Sequence, residues 1–132
     1  MPVVAVLDAQ PAVWALIQDE VRQPTAEGWR ADVEFMIDTS LDGMSEADLG
    51  RAHPKLYPSG YRHAAVLIAD RHTFASAEHP LLVINLNRRV SDPPFRAVPA
   101  MVQGIENNLT GANMDFRELA RAVDGDGVFR GF

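Results

Sequence analysis

Ala64-Ala65-Val66-Leu67-Ile68-Ala69-Asp70 sets six apolar residues in a row and stops on a carboxylate. With no polar residue on either side of the alternation, such a run reads as a strand covered on both faces, as in a parallel sheet between helical layers. The pattern recurs upstream in Val3-Val4-Ala5-Val6-Leu7, closed by Asp8, and downstream in Leu81-Leu82-Val83-Ile84-Asn85-Leu86. Between the first two runs, Val33, Phe35 and Ile37 alternate with Asp32, Glu34 and Asp38, which predicts a strand with one wetter face. Phe95-Arg96-Ala97-Val98, after the Asp92-Pro93-Pro94 turn, reads as an edge strand.

Helical spacing fills the gaps. Val13, Leu16, Ile17 and Val21 line one face of a helix that Pro11 opens and Pro24 closes. Ser45 with Asp48 predicts a short helix from Met44 to Ala52, stopped by His53-Pro54. Pro99 opens a further helical segment carrying Met101, Val102, Ile105 and Leu109, which Gly111 interrupts. A last helix runs from Asn113 or Met114 to Val123, with Asp115 and Glu118 as a capping pair.

Strand and helix in alternation predict one α/β domain over residues 1–132: a small, mostly parallel sheet of four to five strands flanked by helices, flavodoxin-like or doubly wound. About ten residues separate the strands at Ala64–Ala69 and Leu81–Leu86, near the minimum for a parallel crossover, so that pair is either antiparallel or joined by a single helical turn, and an antiparallel edge fits the pattern. There is no internal repeat and no low-complexity tract.

A chain of 132 residues suits one domain, and 47% hydrophobic against 23% charged residues is the balance of a chain that folds rather than one that stays disordered. The formal net charge of −6 repels phosphate backbones and anionic membranes, and Arg88-Arg89 is the only adjacent basic pair, so neither nucleic acid nor membrane is expected as a partner. The absence of cysteine excludes disulfides, zinc-thiolate sites and thiol nucleophiles and matches a reducing compartment. Met1-Pro2-Val3-Val4-Ala5-Val6-Leu7-Asp8 has no basic segment, and its apolar run is too short for a signal peptide or a membrane span; a cytoplasmic protein is expected.

The stretch Glu106-Asn107-Asn108-Leu109-Thr110-Gly111-Ala112-Asn113-Met114-Asp115-Phe116, followed by Asp124-Gly125-Asp126-Gly127-Val128-Phe129-Arg130-Gly131-Phe132, resembles a family of small actinobacterial proteins classed as a domain of unknown function. The resemblance extends upstream to Glu78-His79-Pro80-Leu81-Leu82-Val83 and to the strand ends carrying Asp38 and Asp70. It implies no activity, substrate or catalytic residue. Similar proteins place a charged or aromatic-rich stretch after the first strand, where this chain has Asp8-Ala9-Gln10-Pro11.

In a parallel sheet the carboxyl ends of the strands share one edge, and ligands bind there. Asp8, Asp38 and Asp70 each close a predicted strand. Three such carboxylates could gather Mg²⁺, or each could cap the helix or turn that follows, the commoner use of an Asp at that position. Phosphotransfer is disfavoured, since no second acid stands beside Asp8 and Lys55 is the only lysine.

The histidines, His53, His63, His72 and His79, all lie mid-chain, and imidazole is the usual general acid or base near neutral pH. His72 and His79 flank the segment after the third predicted strand, Ala64–Ala69, where Asp70 or Glu78 could orient one of them; His72, His79 and Asp70 are therefore the catalytic candidates. No ligand spacing marks a metal, and no glycine-rich loop marks a nucleotide, so neither metal nor cofactor is expected. Ser59 and Ser76 lack the surroundings of a hydrolase nucleophile, and Asp124-Gly125-Asp126-Gly127 reads as a helix stop rather than a calcium loop.

Asn107, Asn108 and Asn113 lie between two apolar helical pieces; they either cap those helices and fix the chain reversal, or read a polar ligand or a partner's backbone. Phe129 and Phe132 bring two aromatics to the last residues, for docking on the chain's own core or for completing a homodimer. The residues together predict a non-catalytic binding or regulatory domain for a protein partner or small molecule, with Asp8, Asp38, Asn107, Asn108, Asn113 and Phe132 as binding candidates. The alternative is a small cofactor-independent enzyme, an isomerase, cyclase or hydrolase, using a His/Asp pair at the strand-end cleft.

Overall fold

A computed structural model describes residues 1–56, 63–87 and 92–132, with the backbone alone for 53–56. The strands are β1 (Pro2–Ala5), β2 (Glu34–Ile37), β3 (Ala65–Ala69), β4 (Leu81–Asn85), β5 (Phe95–Ala97) and β6 (Val128–Phe129); the helices are α1 (Pro11–Arg22), α2 (Glu46–Leu56), α3 (Arg71–Ala75), α4 (Val102–Thr110) and α5 (Phe116–Arg121).

The strands form one mixed sheet in the order β2-β1-β3-β4-β5-β6. β1 pairs in parallel with β2 and β3, β4 lies antiparallel to both β3 and β5, and β6 runs parallel to β5. The α/β class and the mostly parallel sheet follow the sequence pattern, since only β4 is reversed among the described strands. Both options for the 70–80 connection are realised together: a short helix, α3, and an antiparallel return.

Each face of the sheet has its own cover, which is why the long strands are apolar throughout. Val3, Ala5, Leu67, Ala69 and Val83 pack under Ile17 and Val21 of α1, Ile105 of α4 and Leu119 of α5. Val4, Val6, Val66, Ile68, Leu82 and Ile84 meet Leu41, Leu49 and Ala52 on the other side. Burying each aliphatic side chain of this kind contributes roughly 1.5–3 kcal/mol. Phe95 joins the α5 side, with its ring 5.1 Å from Phe116 and 6.4 Å from Phe129. Because strand side chains alternate, Arg96 between Phe95 and Ala97 must emerge on the α2 side.

Three details differ from the sequence reading. The sixth strand, β6, is two residues long, too short to show an alternation, and by pairing with β5 it takes the outer place that the sequence reading gave to Phe95–Val98. α2 continues through His53-Pro54 to Leu56; Pro54 lies in its last turn, where a missing N–H costs one bond, so the helix ends two residues later. The last helix starts at Phe116, because the N–H groups of Asn113 and Met114 are bonded to the Asn108 carbonyl in a turn. Asp115 and Glu118 close it in a reciprocal capping box, each backbone N–H donating to the other's carboxylate at 2.8 Å.

Candidate functional site

The register places Ala5 opposite both Ile37 and Ala69, so Asp38 and Asp70, one residue further on, leave the sheet at the same level, and Asp8 follows on the same edge. The topology therefore gathers the strand-end acids on one rim. They do not converge on one point: among the described residues no group of three or more His, Asp or Glu is placed to hold a metal ion. Asp38 accepts the Ser40 N–H at 3.1 Å and caps a 3-10 turn, while Asp8 is exposed.

Asp70 is the centre of the rim. As N-cap of α3 it accepts the Thr73 N–H at 3.1 Å, and its own N–H donates to the Thr73 hydroxyl at 3.2 Å. Thr73 is fully buried, and its hydroxyl donates to the Pro80 carbonyl at 2.8 Å. Arg96, two strands away on β5, reaches across the end of β4: Nη1 donates to Asp70 Oδ1 at 3.0 Å and to the Pro80 carbonyl at 3.1 Å, and Nη2 donates to Asp70 Oδ2 at 2.7 Å. The two side chains are 19% and 26% exposed. Burial, the largest single effect, pushes the Asp70 carboxyl up, but the hydrogen bonds from Arg96 and Thr73 together bring it below its usual range.

This pair borders a cavity of about 220 Å³ on the α2 side of the sheet. Val6, Ile68, Leu82, Leu41 and Leu49 supply its apolar walls. Asp70 and Arg96 add charge, joined by Glu46 and by Arg71, whose Nη2 donates to Asp42 at 2.6 Å.

A second charged knot lies nearby. Arg130, just past β6, binds Glu78 at 2.8 Å, Asp126 at 2.7 Å and Asp124 at 2.8 Å. Hydrogen bonds to Glu78, then to Asp126 and Asp124, hold the guanidinium charged, and in return Arg130 keeps Glu78 and Asp126 below the usual carboxylate range. His72 is exposed and lines a hollow of about 150 Å³ with Glu78, Asp126 and Arg130.

His79 stands apart from Asp70. Its backbone is left-handed, φ 51°, immediately before Pro80, an uncommon state for a side-chain-bearing residue. Its buried Nδ1 lies 3.5 Å from Glu20 Oε1 of α1, too loosely arranged for a hydrogen bond. The structure thus sets Glu20 beside His79, and gives both oxygens of Asp70 to Arg96 and Thr73 rather than to an imidazole. Glu20 and Arg96 are the partners that sequence reading missed; they lie 59 and 26 positions from the residues they meet, and no local pattern marks them.

The asparagines serve the turn after α4. Asn108 Nδ2 donates to the Gly104 carbonyl at 2.8 Å, the Asn108 carbonyl accepts the Asn113 N–H at 3.0 Å, and the Asn107 carbonyl accepts the Gly111 N–H at 3.0 Å. Phe132 is 79% exposed, with one edge against Phe129 at 5.1 Å. A larger cavity, about 630 Å³, opens at the opposite edge of the sheet beside Asn85, Phe116 and Arg117, but Asn87 and Asp92 in its wall flank residues outside the described set. The rim cavity is bordered by strands, a turn and helices among the described residues, and it adjoins the part-buried charge pair.

Fold and rim together define a small α/β domain with a charged cavity at the carboxyl edge of its sheet. The chain belongs to the family described as a domain of unknown function, DUF6924, whose model matches residues 1–132. No curated protein and no solved structure matches it.

Proposed function

We propose that the protein is a non-catalytic binding or regulatory domain that takes a small molecule in the rim cavity. The observation that carries this reading is the Asp70–Arg96 pair, part-buried and bidentate, set at the border of a cavity with apolar walls and a charged mouth where open α/β sheets take their ligands. Asp70 is committed to structural bonds, which favours recognition over proton transfer at this place. The test is a methyl-resolved NMR titration of the full chain with a panel of small amino acids, carboxylic acids, amines and alcohols. Saturable shifts at Ile68, Leu82 and Leu41, with Ile105 and Leu119 on the opposite face unmoved, support the reading; no shift at the first three from any member overturns it.

One observation favours the enzyme alternative: His79, in a left-handed backbone, has a carboxylate 3.5 Å from Nδ1. That contact is not a hydrogen bond; closing it would make Glu20, rather than Asp70, the orienting acid of a general base. Turnover lost in a folded His79→Ala variant would turn the argument to that reading.

We place the protein in the cytoplasm on its lack of cysteine, and away from nucleic acid on its net charge of −6. Among the described residues no helix is long and apolar enough to cross a membrane. The exposed Phe132 ring supports a homodimer as the use of the last residues, read directly by light scattering.

A further inference from the structure

Resting on the binding reading above, we infer that the cavity takes a small zwitterion with an aliphatic tail, of the chemistry of a free aliphatic α-amino acid. Its volume, about 220 Å³, lies below the roughly 300–1,000 Å³ that drug-sized ligands occupy, so the occupant is small. Five aliphatic side chains, Val6, Leu41, Leu49, Ile68 and Leu82, line it, and an occupant with an apolar tail removes that surface from water.

The charges say what the other end carries. Asp70 is matched by Arg96 and Asp42 by Arg71, which leaves Glu46 as the lining carboxylate outside any ion pair among the described residues. Among the described residues the guanidiniums also keep donors to spare: Arg71 uses Nη2 alone on Asp42, and Arg96 uses Nη1 and Nη2 while its Nε makes no hydrogen bond. The cavity thus offers an unmatched carboxylate and unused guanidinium N–H groups together. A simple anion would meet Asp42, Glu46 and Asp70 and leave Glu46 without a partner, and a simple cation would answer Glu46 but leave the spare N–H groups of Arg71 and Arg96 without an acceptor; a molecule carrying ammonium and carboxylate engages both.

The experiment titrates the methyl-labelled full chain with L-leucine, with 4-methylpentanoate, which lacks the ammonium, with 3-methylbutylamine, which lacks the carboxylate, and with glycine, which lacks the tail. L-leucine should shift Ile68 and Leu82 saturably, and each of the other three should bind at least about tenfold more weakly. Glu46→Gln should weaken L-leucine but not 4-methylpentanoate, and Arg71→Gln should weaken L-leucine but not 3-methylbutylamine; both side chains are exposed, so neither change threatens folding. If any truncated probe binds as tightly as L-leucine, or if alcohols fill the cavity and L-leucine does not, the zwitterion inference falls while the binding reading stands. Silence at these methyls from every probe, the wider panel included, overturns both.

Discussion

Arg96 Nη2 lies 2.7 Å from Asp70 Oδ2, and through that contact β5 is tied to the end of β3 across the intervening strand β4. The same guanidinium holds the Pro80 carbonyl, so three consecutive elements of the sheet share one charged clasp at the rim. Without Arg96, a part-buried carboxylate would stand with its α3 bonds alone.

Breaking the clasp should therefore cost more than breaking a surface pair. Arg96→Met is expected to destabilise the protein by about 1–3 kcal/mol, because Asp70 and the Pro80 carbonyl each lose a donor. Paired with Asp70→Asn, the double variant should lose less than the sum of the single ones. Urea unfolding of all four proteins measures both effects.

Acid should find the same pair. The folded-state pKa of Asp70 is lowered from 3.8, so its stabilising contribution is present above that value and is lost as pH falls through the lower, folded one. Asp70→Asn should accordingly flatten the fall in stability below about pH 4. Glu106 carries the opposite sign: burial raises its pKa from 4.5, so the folded state favours its protonated form and stability is lost as pH rises above that value. Glu106→Gln should help at neutral pH and do little in acid, as thermal melts across the range would show.

Thr73 is the hinge of the capping box. Thr73→Val keeps the shape but removes the hydroxyl that binds Pro80 and receives the Asp70 N–H, an expected loss of about 1–2 kcal/mol. Thr73→Ser keeps both bonds and should fall well short of that loss. The midpoints of denaturant unfolding separate the two.

Ala112 offers a gain. It is exposed at φ 53°, a conformation that costs a side-chain-bearing residue roughly 1–2 kcal/mol and glycine almost nothing. Ala112→Gly pays back part of this as entropy in the unfolded chain, so a rise in stability of up to about 1 kcal/mol is expected, read as a higher melting temperature.

The layers of this protein were legible in its residues. Val3–Leu7, Ala64–Ala69 and Leu81–Ile84 are apolar at every position because each strand is covered on both faces, and that demand is met position by position along the chain. The Asp115 and Glu118 box was legible for the same reason, since a capping pair lies within one helical turn. β6 was not, because two residues carry no period. The structural use of Asn108 in the chain reversal after α4 was legible too, though the atoms it meets depend on where α4 stops.

Local pattern thus determined the α/β class, the central strands and the common edge of Asp38 and Asp70. Tertiary structure alone decided that Asp70 would meet Arg96 instead of a histidine, that Glu20 would stand beside His79, and that a small cavity would open under Leu41 and Leu49. The physical reason is range: burial and capping act within a strand or a turn, whereas a charge pair forms between side chains that strand order and the alternation of faces bring together from distant parts of the chain.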